Sequence, residues 1–412
     1  MTGKYQAYPE YKESGVEWLA SVPSHWDVKR LGQYLFERRD KVSDKDYSAL
    51  SVTKNGIVPQ LETAAKTDAG DNRKLVIAGD FVINSRSDRK GSSGLSDLDG
   101  SVSLISIVLQ PKNIEPRFVH HLLRSYPFQE EFYRYGKGIV ADLWSTNYSE
   151  MKNISLPIPD RSEQRTIAAF LDHETARIDQ LIEKQQRLIE LLKEKRQAVI
   201  SHAVTKGLDP NVPMKDSGVE WLGQVPKHWV VTRAKMVSEI FVPQRNKPEL
   251  NDSGDGLHWA TMEDMKSDAI DETRKYVSRK AFEAAGSKVL KKGAVVASCV
   301  GNFGIASVLN IDVVINQQLQ AYIPKAISGP YLRDVITCSK VYFDLVGTAA
   351  TLVYVNQEGF GNLPIPLPPM VEQREIGRHI ELSKTKLDRA IAKGQQQVSL
   401  LQERRKALVS AA

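Results

Sequence analysis

The sequence predicts an α+β chain. Two small mixed α/β domains are joined by two long helices that pair as an antiparallel coiled coil, the whole forming a pseudo-twofold tandem repeat. Three observations carry that reading. A tryptophan-bearing stretch occurs twice: aligning Lys12–Arg30 with Lys215–Arg233 gives 13 identities in 19 positions at a constant offset of 203. A second stretch, 46 residues from Leu156 to Ser201, recurs without a gap from Ile365 to Ser410 at an offset of 209. Between these repeats lie residues 31–155 and 234–362, which are much less alike and mix short β-type runs with amphipathic helices.

Bulk properties are compatible with this and exclude little. A chain of 412 residues suggests two or three domains, each large enough for its own core. The hydrophobic share of 41% and charged share of 26% are those of an ordinary globular protein. A net charge of +6 is a modest basic excess and by itself weak evidence for a polyanionic partner. Cys299 and Cys338 form no metal-type spacing and no disulfide framework, and read as buried or half-buried thiols of a reducing compartment. The opening "MTGKYQAYPEYKESG" has no apolar core for a signal peptide, and no apolar run approaches the roughly 18–20 residues of a membrane span. The expected location is the cytoplasm.

Each unit begins with the box "SGVEWLxxVPxHW", which holds Trp18 and Trp26 in one copy and Trp221 and Trp229 in the other. A proline-rich edge follows the variable segment, where Pro157 and Pro159 keep the chain extended. Asp160 and Glu163 then have the spacing of a capping box, whereas the second copy keeps Glu372 but has Pro369 in place of the capping aspartate. In the helix that follows, Leu171, Ile178, Leu192 and Val199 mark one seam position and Ile167, Leu181 and Leu188 another, with Ile182 and Ile189 widening the stripe. Ile380, Leu387, Leu401 and Leu408 answer in the second helix. Gln185, Lys195, Gly394, Gln397 and Arg404 stand as polar or small faults, and Gly394 costs its helix about 1 kcal/mol relative to alanine. Two such helices could each cover a separate domain. Their length, charged outer faces and relatedness favour pairing with each other. The expected boundaries are a first domain over 1–158, a helix over 159–206, a linker over 207–216, a second domain over 217–368 and a helix over 369–412.

The variable segments hold the chemically suggestive loops. "NSRSDRKGSSGLSD" sets Arg86, Arg89 and Lys90 among glycines and serines, a composition suited to phosphates or guanine edges and equally to a solvated surface loop. Its counterpart "SCVGNFGIAS" offers Asn302 and Phe303 and no charge, so two segments doing one job would do it on different targets. Lys54 and Asn55 sit at an Asn-Gly turn that is either an edge reader or merely a turn, the second slightly favoured. Arg117–Tyr135 reads as an amphipathic helix.

Catalytic constellations are missing. There is no GxxxxGK[ST] phosphate loop, no HExxH and no glycine-rich strand–turn–helix for a methyl donor. Asp160, Glu163 and Arg165 superficially suggest a nuclease, but at a helix start capping accounts for them better. The eight histidines show no metal-ligand pattern, so no catalytic residue and no metal ligand is expected.

The boxes at Ser14–Trp26 and Ser217–Trp229, with the edges at Leu156–Ile167 and Ile365–Ile376, resemble the specificity (S) subunit of type I restriction–modification enzymes along essentially the whole chain. "PD" at Pro159–Asp160, where the family has "PP", and the glycine in the last helix are minor departures. The resemblance implies a non-catalytic DNA-recognition subunit in which each variable domain reads one half of a bipartite target in double-stranded DNA, and the dissimilar loops of the two segments make the expected target asymmetric. It implies helices that set the spacing and dock two adenine methyltransferase (M) subunits, with restriction (R) subunits completing the assembly. Cofactors would lie outside this chain: S-adenosylmethionine in the M subunit, ATP and Mg in the R subunit. The expected DNA-reading residues are Lys54, Asn55, Arg86, Arg89, Lys90, Lys137, Trp144 and Asn147 in the first unit, and Arg245, Lys247, Asn302, Thr351, Tyr354 and Asn356 in the second. The expected partner-binding residues are Trp18, Trp26, Trp221 and Trp229 with Glu163, Gln164, Arg165, Glu372, Gln373 and Arg374. The rival reading is a coiled-coil scaffold for an assembly without DNA.

Overall fold

The computed structural model describes residues 7–61, 70–138, 144–243, 247–251, 254–348 and 353–411. The chain divides into two units, Met1–Gln186 with Gln396–Ala412, and Arg187–Gln395. In the first, the tryptophan box is a hairpin of Tyr11–Glu13 and Ser21–Pro23. The next strand, Asp27–Arg30, pairs antiparallel with the proline-rich edge Ser155–Ile158, placing Pro157 opposite Val28. A two-stranded ribbon tolerates the proline, whose missing N–H removes only one ladder bond. The chain thus enters and leaves the domain through one ribbon.

Above it stands a four-stranded sheet in the order Ser93–Leu95, Phe81–Asn84, Ser106–Pro111, Leu35–Glu37, with a three-stranded sheet of Gly100–Val102, Arg73–Val76 and Lys41–Val42 beside it. The central strands are buried on both faces, and period-two alternation sorts their side chains. Phe81, Ile83, Ile107 and Leu109 face the core that includes Phe128 and Phe132, whereas Val82 and Val108 face Val76 and Val102. The helix expected over Arg117–Tyr135 is two helices, Pro116–Arg124 and Tyr126–Arg134. Pro127 has no N–H to continue the ladder, so the backbone breaks at Ser125, whose side chain caps Phe128.

The second unit repeats this plan with additions. Met214–Asp216 pairs with Gln224–Pro226, and Val230–Arg233 with Pro364–Leu367. The box hairpin therefore starts inside the segment expected to be linker, because Met214–Asp216 takes its backbone bonds from the box. The larger sheet runs Ser238–Phe241, Leu319–Pro324, Val295–Ser298, Ala306–Leu309, and gains Ala269–Ile270 as a parallel fifth strand. Trp229, Tyr322, Tyr331, Phe343 and Phe360 fill its core.

Two long helices, Arg161–Lys206 and Met370–Ala411, each contribute to both units. Within the first unit, Val409–Ala411 lie by Ile167 and Leu171, and Arg405 donates to both oxygens of Asp179 at 2.8 and 3.1 Å. Within the second, Gly207 lies by Glu372 and Arg196 meets Asp388 at 2.9 Å. The helices run antiparallel in each, and Arg196–Asp388 is the repeat image of Arg405–Asp179. Leu171, Ile178 and Ile189 are buried, but Leu181 and Leu188, expected in the seam, are each 46% exposed. A strict seven-residue step drifts about 20° per heptad on a helix of 3.6 residues per turn, which hands the inner face to Ile182 and Ile189. Of the expected faults, Lys195, Gln397 and Arg404 point outward and Gly394 is buried; buried polar residues of the long helices include Thr175 and its repeat image Lys384. No described helix is long and apolar enough to cross a membrane.

A β-carbon at Gly377, inside the second long helix, would meet nothing within 4 Å. Gly377→Ala should stabilise the protein by about 1 kcal/mol, seen as a melting-temperature rise on the order of 2–4 °C.

Candidate functional site

Each unit is tied to the start of a long helix by the same set of bonds. Asp160 caps the first helix, accepting from the N–H groups of Ser162 and Glu163 at 2.8 and 2.9 Å. Glu163 does not complete the expected reciprocal box. Its carboxylate accepts from Tyr8 Oη at 2.6 Å and lies 3.1 Å from His25 Nε2. Burial and this bond push the Tyr8 phenol up to about 12. Glu372 does the same work in the second unit, accepting from Trp229 Nε1 at 3.0 Å with His228 Nε2 at 2.9 Å. The neighbouring glutamines are buried. Gln164 donates to the Pro159 carbonyl and accepts from the Glu115 N–H, both at 2.8 Å. Gln373 donates to the Pro368 carbonyl at 2.9 Å and accepts from the Ser328 N–H at 2.8 Å.

The residues expected to bind partners therefore separate. Trp26 and Trp229 are core, as are Gln164 and Gln373, whose amides are consumed within the fold. Trp18 and Trp221 are half-buried, Trp18 meeting the Phe128 ring edge-on at 6.0 Å. Arg165 and Arg374 are exposed, Arg165 lying 3.6 Å from Glu115.

At the opposite end of each larger sheet, three segments converge. In the first unit the Ser85 carbonyl accepts from the Thr146 N–H at 3.0 Å, the Ser87 N–H donates to the Trp144 carbonyl at 2.8 Å, and Lys137 exchanges backbone bonds with Ser145. Arg86, Lys137, Trp144 and Asn147 are thus brought together. In the second unit the Cys299 carbonyl accepts from Val355 at 3.0 Å, the Gly301 N–H donates to Val353 at 2.9 Å, and Thr348 pairs with Tyr354. Asn302 is exposed beside them, while Phe303 is buried against the Phe343 ring. Burial pushes the Cys299 thiol up to about 12, so it is an inert packing group.

Most of the cations already hold a carboxylate. Arg86 meets Asp88 at 3.1 Å, Arg89 meets it at 3.6 Å, and Lys137 meets Glu150 at 2.8 Å. Exposed pairs of this kind are worth at most about 1 kcal/mol, so an incoming phosphate can compete for the cation. Asn356 caps the short helix Gln357–Gly361, its side-chain oxygen accepting from the Gly359 N–H at 2.9 Å. Lys54 and Asn55 form the exposed turn between Leu50–Thr53 and Gly56–Pro59, and the Lys54 carbonyl accepts from Arg124. Lys90 is bound to Glu130. Tyr354 accepts from Gln320 Nε2 at 3.2 Å, and Lys247 lines a cavity of about 430 Å³ in the second unit. Arg245 and Thr351 lie outside the described residues. Among the described residues no cluster of His, Cys, Asp and Glu has the arrangement of a metal site.

Residues 226–398 match the model of the type I restriction modification DNA specificity domain. Over 402 residues the chain is 22% identical to the type I restriction enzyme MjaVIII specificity subunit of Methanocaldococcus jannaschii, covering 90% of this chain and 89% of the relative. It is 23% identical over 291 residues to the EcoKI specificity subunit of Escherichia coli, covering 66% of this chain and 60% of that one. The HsdS subunit from Thermoanaerobacter tengcongensis has the same fold, with a TM-score of 0.56, 21% identity, and 94% and 96% of the two chains covered. A chain from the structure described as the basis of complex assembly and conformational transition of the type I R-M system has a TM-score of 0.74 at 19% identity, with 94% and 97% covered. The chain is thus similar to type I specificity subunits along about nine-tenths of its length, and residues 226–398 carry the family's DNA specificity domain.

One turn at the tips escaped sequence reasoning. Ser106 bonds back to Ser103 at 3.0 Å, and Leu319 bonds back to Asn316 at 3.2 Å, so the two turns are equivalent. The first exposes Leu104 and Ile105; the second exposes Gln317 and Gln318 on the wall of the 430 Å³ cavity. "NQQ" at 316–318 was the available signal, but only the three-dimensional alignment of the tips gives it meaning.

The buried amide joint yields a contrast. Gln373→Leu leaves the Pro368 carbonyl and Ser328 N–H without partners and should cost about 3 kcal/mol. Arg374→Ala, one residue on and exposed, should stay within about 0.5 kcal/mol. Urea denaturation midpoints of the two variants measure the difference.

Proposed function

We propose that this chain is the non-catalytic DNA-recognition subunit of a type I restriction–modification complex, with the two tips reading the two halves of a bipartite, asymmetric target. The observation that carries the proposal is that two tips of one backbone design carry different chemistry. Arg86, Lys137 and Trp144 stand with the apolar pair Leu104–Ile105 in one, and Asn302 and Tyr354 with the amide pair Gln317–Gln318 in the other. Arginine suits guanine, apolar side chains suit the thymine methyl, and glutamine or asparagine suits the N6/N7 edge of adenine. Two unlike tips imply two unlike half-sites.

The long helices set the gap between the half-sites and carry docking surfaces for two adenine methyltransferase subunits; restriction subunits complete the assembly. A helix over Glu163–Ser201 is on the order of 58 Å long, against about 34–36 Å for one turn of DNA. S-adenosylmethionine, ATP and Mg belong to those partners. The resemblance of the whole chain to specificity subunits supports this reading, and nothing in the sequence or structure favours the scaffold alternative.

Two measurements on the chain with its methyltransferase partner test the proposal through the positions of methylated adenine. The double variant Gln317→Ala, Gln318→Ala should relax the base choice at one or two positions of one half-site and leave the other intact; an unchanged motif at full activity contradicts the assignment of that tip. Four residues inserted at matched positions of both long helices should widen the gap by about two base pairs, and an unchanged gap with retained methylation contradicts the spacer role.

A further inference from the structure

We propose that the first unit contains a phosphate-binding site between the helix Pro116–Arg124 and the C-terminal turns of the second long helix. A cavity of about 430 Å³ opens there, and Lys54, Lys90, Arg124, Arg405 and Lys406 bring five cations to its wall against the single carboxylate of Glu130. Glu130 is taken by Lys90, and Arg405 is held from behind by Asp179. Arg124 is the unbalanced member. Its guanidinium donates to the Lys54 carbonyl, and among the described residues no carboxylate bonds to it.

The hydrogen-bond geometry points the same way. The Leu95 N–H donates to His120 Nδ1 at 3.1 Å, so the neutral ring carries its proton on Nε2. Burial holds that ring neutral, its pKa lowered to about 3, and the neighbouring Arg124 adds to the effect. His120 Nε2 then faces Arg124 Nη1 at 3.4 Å, donor against donor. Two half-buried donors without an acceptor are costly, and an oxyanion between them satisfies both.

The second unit shows how the equivalent cluster is completed. The paired bonds of Gln164 to Glu115 and of Gln373 to Ser328 align the two helices, placing Arg333 where the first unit has His120. The helix repeat places Arg196 where the first unit has Arg405. In that setting the carboxylate of Asp268 sits among the cations, bound by Lys384 and 3.2 Å from Arg333 Nη1. Burial pushes Asp268 up, but Lys384, Arg333 and Arg196 together hold it below its ordinary range. The second unit thus closes its cluster with its own anion; the first leaves the corresponding place to one from outside. A phosphate fits better than a carboxylate, since its oxygens can accept from His120 Nε2, the Arg124 fork and Lys406 together.

The phosphate comes either from a DNA backbone or from a free phosphorylated molecule. Inorganic phosphate at 20 mM, set against chloride at matched ionic strength, and a DNA duplex containing the methylated motif are the two probes. The full chain with its methyltransferase partner is compared with Arg124→Gln and with Lys406→Gln, an exposed position that keeps the test open if Arg124→Gln fails to fold. For a free phosphate, the wild type should melt on the order of 2 °C higher in phosphate and the variants should not. For a DNA phosphate, each variant should weaken duplex binding and reduce the slope of log K against log salt by about 0.9. Either result supports the site; unchanged slopes together with no phosphate-dependent shift overturn it. A wild type that binds no DNA defeats the proposed function, and the phosphate arm then decides the site alone.

Discussion

The structure depends on one joint, built twice: a buried glutamine amide that closes two backbone groups at a helix start, beside a glutamate held by the tryptophan box. Gln164 and Gln373 are 1% and 2% exposed, and each bonds one carbonyl of the proline-rich edge and one N–H at the start of a domain helix. Leaving those groups unpaired in a dry interior would cost several kcal/mol, so the amide fixes edge, domain helix and long helix in a single arrangement. Glu163 and Glu372 add the box, through Tyr8 and His25 in one unit and Trp229 and His228 in the other. The repeated residues belong to the joint, which frees the segments between the repeats to differ.

Divergence follows that division of labour. Backbone pairing at the tips is retained bond for bond, with Ser85 to Thr146 matched by Cys299 to Val355, while the exposed side chains differ in kind. The buried charges differ too. Asp268 sits bonded among the cations of the second unit, whereas no described carboxylate bonds to Arg124 of the first. A scaffold held by buried amides tolerates such changes because the side chains that vary contribute little to the joint.

Much of the architecture was legible in the sequence. The repeats, the proline-rich edges, the capping aspartate and the antiparallel helices follow from spacing and elementary stereochemistry. The seam was misassigned at Leu181 and Leu188 because a seven-residue step drifts on a real helix, and Pro127 splits one expected helix into two. The site was less legible. Whether a repeated Trp or Gln faces a partner or the core is invisible in a repeat pattern, which is why Trp26, Trp229, Gln164 and Gln373 were read as contact residues. Leu104–Ile105 and Gln317–Gln318 acquire meaning only through the matching turn bonds, Ser106 to Ser103 in one unit and Leu319 to Asn316 in the other.

The central claim is that one scaffold, repeated, presents two different readers. Long-read mapping of methylated adenine in DNA from cells carrying this chain and its methyltransferase partner tests it most directly. The account predicts a single motif of two unlike specific halves separated by an unspecific gap of constant length. A palindromic motif, or one continuous block of specified bases, would contradict it.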